Sequence, residues 1–150
     1  MFTSHLWIEG HDYHARAAAR RLGLERQFYI LKGDPVAFGP KKGTPRDTSV
    51  LRVPVSDHVN YERHMRQIEA RLGQLMIFLS KERLRYGDGV SIHLPVGMTV
   101  GHEKYFVRTF CASPALMCLL VALGIHLSIS AYPYSDRTER KHLKWSDGIG

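Results

Sequence analysis

Four cations stand close together within residues 32–46, namely Lys32, Lys41, Lys42 and Arg46, in a stretch punctuated by Gly33, Gly39, Pro40, Gly43 and Pro45. Glycines allow close backbone approach and several cations can surround a phosphate, so this loop is the candidate anion-binding site. It lacks the GxxxxGK[ST] spacing of a P-loop, and an ordinary basic surface turn accounts for the same residues. The nine histidines raise a metal reading, above all His11 with His14 and His58 with His64. A zinc site needs three or four ligands converging at about 2.0–2.3 Å, and no CxxC or HExxH motif supplies the others. Capping or exposure at a helix start explains the first pair, and a helix turns the second pair onto opposed faces. No metal and no cofactor are expected.

Acid–base or nucleophilic work needs a carboxylate pair, or a Ser/Cys–His–Asp set, converging in a cleft. Glu103 with His102 and Cys111 with His93 are the pairs on offer, and surface charge and strand positions explain them more simply. No catalytic residue is assigned, and enzymatic activity is left open. A reader of single-stranded nucleic acid would interleave aromatics with cations on an open sheet face, for which Phe28, Tyr29, Tyr105, Phe106 and Arg108 are candidates. Core packing is the simpler role for these aromatics, and no RNP pattern surrounds them.

The elements that must position these residues follow from periodicity and punctuation. Residues 3–9 alternate, with Leu6 and Ile8 on one face and Trp7 opposite, and end at Gly10, which predicts a strand. Asp12 is placed to cap a helix over 13–22, whose Ala15, Ala18, Ala19 and Leu22 form a small face and whose stop is Gly23. A β-rich run, 26–32, closes at Gly33-Asp34-Pro35, and the basic loop leads to an alternating strand over 49–55 in which Pro54 argues for an edge or an end. From Ser56 or Asp57 onward, Tyr61, Met65, Ile68, Leu72, Leu75 and Leu79 recur at steps of four and three, an amphipathic helix that Gly73 is expected to kink or break. Strands follow over 90–95 and 104–111. Ser113 and Pro114 then open a buried helix that Gly124 ends, and a buried strand runs from Ile125 to Tyr132.

Helix, Leu-Gly-Leu or Leu-Gly-Ile, then strand occurs twice, at 17–31 and 119–131. Two such units imply an α+β fold, a mixed or antiparallel sheet with helices packed on one face and a split-βαβ, ferredoxin-like pseudo-repeat. One domain is expected over 1–134, with a polar tail over 135–150. Leu22-Gly23-Leu24, Lys32-Gly33-Asp34-Pro35, the amphipathic middle helix and Leu123-Gly124-Ile125 leading to Tyr132 together resemble a bacterial family of single-domain proteins of unknown function. The resemblance covers about 6–134 and implies a fold but no activity. Members usually carry a tryptophan in the strand after the KGDP loop, where this chain reads Thr48-Ser49-Val50-Leu51-Arg52.

Composition bounds the function. At 150 residues, with 44% hydrophobic and 23% charged residues, the chain can bury about 70% of its unfolded surface and needs no disulfide or metal staple. Cys111 and Cys118 fall in an apolar segment and read as reduced core thiols. The first residues, MFTSHLWIEGHDY, show no signal peptide, and the longest apolar run, 115–125, is about half a membrane span, so a cytoplasmic location without membrane contact is expected. The net charge of +7 allows attraction to nucleic acid, anionic membrane or an acidic protein, although acidic residues interrupt most of the basic clusters. These features favour a non-catalytic cytoplasmic binding protein, immunity-like, which neutralises a protein partner of acidic character. The alternative is phosphate-ligand or nucleic-acid binding through the basic loop 32–46.

Overall fold

The computed structural model describes residues 2–58, 60–100 and 109–133. In chain order the elements are β1 (Phe2–Gly10), α1 (Ala15–Arg21), β2 (Tyr29–Ile30), β3 (Ser49–His58), α2 (Tyr61–Tyr86), β4 (Val90–Val100), α3 (Pro114–Ala122) and β5 (Ile125–Pro133). The strands form one five-stranded open sheet in the order β2-β3-β1-β4-β5. β3 runs antiparallel to both β1 and β2, β1 antiparallel to β4, and β4 parallel to β5. The molecule is therefore α+β with a mixed sheet. The two helix–glycine–strand segments are placed differently within it. β3 lies between β1 and β2, whereas β4 and β5 are direct neighbours.

Local chemistry explains where several elements depart from expectation. Asp12 does not cap α1; His14 holds that position without a side-chain bond, and the helix is only seven residues long. The strand expected over 26–32 is reduced to Tyr29–Ile30 because the Asp34 carboxylate takes the Leu31 N–H at 2.8 Å, diverting it from a ladder. β3 runs on through Pro54, which pairs with His5 where the register against β1 shifts and where β2 no longer flanks the strand. α2 starts later than Ser56, at Tyr61, because the Asn60 side chain accepts the Arg63 N–H at 3.0 Å; it then runs unbroken through Gly73. Ser113 caps α3 by accepting from Leu116 N at 3.0 Å, and Gly124, at φ 60°, turns the chain into β5. The strand expected over 104–111 lies mostly outside the described residues, and Thr109–Ala112 carries no strand.

One core lies on one side of the sheet. Leu6 and Ile8, Leu51 and Val53, Ile92 and Leu94, and Ile125 meet Ala15, Ala18 and Ala19 of α1, the stripe from Met65 to Leu79 of α2, and Leu116 and Leu120 of α3. The alanines bring α1 close to the strands, and burying each large aliphatic side chain contributes about 1.5–3 kcal/mol. Polar ties accompany the packing. Arg21 Nη2 meets the buried Glu82 Oε1 at 2.5 Å, and Ser56 Oγ donates to Gln67 Oε1 at 2.7 Å. The expected burial of α3 and β5 is only half realised: Met117 and Val121 are 56% and 83% exposed, and Cys111 and Cys118 are both exposed rather than core thiols. Among the described strands β5 lies at the edge of the sheet, beside α3.

Candidate nucleic-acid interface

Strand side chains alternate between the two faces of a sheet. With Leu6, Ile8, Leu51, Val53, Ile92, Leu94 and Ile125 committed to the core, Trp7, Arg52, His93 and His126 project from the opposite face. Register then lines them up: Trp7 pairs with Arg52 on one side and His93 on the other, and His93 pairs with His126. The result is a row, Arg52–Trp7–His93–His126, drawn from four strands and about 14 Å long at the usual strand spacing. The Arg52 guanidinium carbon lies 5.8 Å from the centre of the Trp7 ring, and the His93 and His126 rings stack at 5.1 Å and 25°. Arg52 Nη2 also donates to Gln27 O at 2.7 Å, which fixes the guanidinium at the end of the row.

Further flat groups flank it. His5 lies 6.4 Å from Phe28, tilted by 34°. The half-exposed Tyr132 lies across Gly97, where a Cβ would approach its ring to 3.3 Å; glycine leaves room for the phenol to lie flat. Burial, and then the Arg52 charge, hold the His5 imidazole below its ordinary pKa against the opposing pull of Asp57, so it is neutral at pH 7. Glu9, a carboxylate on this face, accepts from Thr48 Oγ1 at 2.5 Å. Flat rings at strand spacing beside a fixed guanidinium offer stacking surfaces for planar ligands and a charge for an anion, at any neutral pH.

The basic loop is organised differently from the expected cluster. Gly33 N donates to Arg46 O, Arg46 N to Asp34 O and Val36 N to Thr44 O, each at 2.9 Å, so the segment folds back on itself like a hairpin. Lys32 and Arg46 stand at its base. Lys41 and Lys42 are exposed at its tip, beyond the Gly43–Val36 bond. The four cations are thus divided between two ends of the loop. Lys32 Nζ donates to His11 Nε2 at 2.9 Å, His14 stands at the start of α1, His58 accepts from Asn60 N, and the buried His64 is hydrogen-bonded to Ser4. Among the described residues, no group of three or more His, Cys, Asp or Glu side chains is placed to hold a metal ion.

Of the aromatics considered for stacking, Phe28 reaches the open face, whereas Tyr29 packs against the core under Arg26, with 4.7 Å from guanidinium carbon to ring centre. Tyr105, Phe106, Arg108, His102 and Glu103 lie outside the described residues. His93 does not join Cys111 in a nucleophile pair; its ring is occupied by His126. The alternation of 3–9 already set Trp7 apart from Leu6 and Ile8. What sequence reasoning missed was that Arg52, His93 and His126 would stand level with it. No family model matches the chain, and neither a curated protein nor a solved structure matches it.

Proposed function

We propose that this is a non-catalytic binding protein whose open sheet face takes single-stranded nucleic acid. The observation that carries this reading is the in-register row Arg52–Trp7–His93–His126. Bases of any sequence stack on such side chains, each contact contributing about 1–3 kcal/mol, while cations follow the phosphates. The net charge of +7 supports the same reading. So does the strand order: we assign β1 to β4 to a split-βαβ, ferredoxin-like arrangement, with α3 and β5 added at one edge, which leaves a sheet face for a ligand. Fluorescence anisotropy of a labelled ten-nucleotide oligouridylate tests it. Trp7→Ala and His93→Ala are each expected to weaken binding about 5- to 100-fold, with Trp7→Phe close to wild type and affinity falling as salt rises. No binding at low salt, or a Trp7→Ala variant that binds like wild type, would sink the proposal.

A second reading, occlusion of a protein partner, is favoured by the outer side of α3, where Met117 and Val121 are exposed on a helix with no charged residue. Large exposed apolar surface marks interaction sites. Here a partner retained on the immobilised protein is expected to be lost on Met117→Glu/Val121→Glu and kept on Trp7→Ala; the reverse pattern rules this reading out.

A further inference from the structure

On the helix side of the sheet, opposite the row of rings, an open cleft of about 410 Å³ lies between α1 and the start of β3. Among the described residues its charged lining is cationic: Arg16, Arg20 and Lys32 border it, together with the hydroxyl of Ser49, and no carboxylate does. The sequence explains the convergence. Ala15, Ala18 and Ala19 turn inward on α1, so Arg16 and Arg20, four residues apart, share the outward side. Ala15 and Ala17 line the cleft beside them and leave it room.

The neighbouring arginines show what is unusual about these three cations. Arg21 is paired with Glu82 and Arg26 with Asp34, whereas among the described residues none of Arg16, Arg20 and Lys32 enters an ion pair. The carboxylate whose ionisation Arg16 affects, Asp34, already receives the Leu31 N–H at 2.8 Å and Arg26 Nη2 at 3.0 Å. Lys32 is steadied by His11, an acceptor at 2.9 Å, without being neutralised by a carboxylate. Ser49 Oγ accepts the Lys32 N–H at 2.9 Å, which leaves its own proton available to a ligand oxygen.

We propose that this cleft is a binding site for a small phosphorylated ligand of nucleotide size, its phosphate dianion held by Arg16, Arg20 and Lys32. Two guanidinium forks can each present paired N–H donors to phosphate oxygens, and the ammonium adds a compact charge. The volume of this open cleft, about 410 Å³, is comparable with that of small-ligand sites, about 300–1,000 Å³. The site lies on the other face from Trp7, so it is independent of the nucleic-acid reading.

Titration calorimetry at low salt with inorganic phosphate, adenosine monophosphate and adenosine tests the proposal. Adenosine monophosphate is expected to bind and adenosine is not; binding of phosphate alone would identify the dianion as sufficient, and its failure beside a bound nucleotide would assign part of the affinity to the base and sugar. Arg16→Gln/Arg20→Gln should lose about tenfold or more in affinity. Trp7→Ala and Lys41→Ala/Lys42→Ala should both retain wild-type affinity. Both arginines are exposed, and circular dichroism verifies that the double variant is folded. The proposal is overturned if neither phosphate nor the nucleotide binds at millimolar concentration, if adenosine binds as well as the nucleotide, or if the folded arginine variant binds like wild type.

Discussion

Trp7, Arg52, His93 and His126 each do something ordinary for their type, and only their alignment makes a surface. A guanidinium near an aromatic face contributes about 0.5–1 kcal/mol when exposed, and the His93–His126 stack is of similar modest size. A further histidine has a different fate. His64 is fully buried on α2, hydrogen-bonded to Ser4 with 3.0 Å between Oγ and Nε2. Burial, and to a smaller degree the charge of His58, depress its pKa, and Asp57 acts in the opposite direction. A depressed histidine stays neutral in the folded protein, so its contribution is fully present above the unfolded value, about pH 6.5. As pH falls below that value toward the depressed one, the unfolded chain takes up the proton first and stability is lost. Urea midpoints at pH 7.5 and 5.5 should therefore fall further for wild type than for His64→Gln, which keeps His5; equal losses would contradict the assignment.

At the scale of elements, Arg83 ties together two turns in the last third of the described fold. Arg83, near the end of α2, donates through Nη1 to Gly87 O at 3.1 Å and Val90 O at 2.9 Å, and through Nη2 to Gly124 O at 2.9 Å. It thereby joins the turn into β4 to the turn between α3 and β5. Glu69, two heptads earlier, accepts from Ser113 Oγ at 2.7 Å, so α3 lies alongside α2 in the same direction. Replacing Arg83 by Met keeps the stem but removes the donors. The expected cost is about 1–3 kcal/mol by chemical denaturation, with hydrogen exchange at 123–125 accelerated first. A variant as stable as wild type would show these bonds to be incidental. The glycine at position 124 belongs to the same joint. It has φ 60°, and a Cβ there would stand 3.0 Å from Arg83 Nη2.

Across the whole molecule, the helices cover one sheet face and leave the other carrying rings, hydroxyls, Glu9 and Arg52, while the cationic cleft opens on the helix side. Local signals in the sequence were sufficient for much of this. The stripe from Tyr61 to Leu79, the alternation around Trp7, the Ser113 cap and the stop at Gly124 all depend on neighbours a few residues away, and they define α2, β1, α3 and the start of β5. The length of β2, the caps of α1 and α2, and the exposure of Cys118 depended on bonds or packing that residue types alone do not specify. The candidate sites depended on still more distant partners. Strand pairing sets Trp7 level with both Arg52 and His93, residues 45 and 86 positions further along, and sets His126 level with His93. Chain return likewise brings Lys32 to Arg16 and Arg20 while holding Lys41 and Lys42 away at the loop tip. By itself the sequence determined the apolar side of α1, α2, β1, β3 and β4, because a helix or strand period is a local property, but not that of α3, whose residues are apolar all round. Only the tertiary structure decided which polar side chains share a surface, because strand order and register are settled by burying all the apolar sides in one core at once.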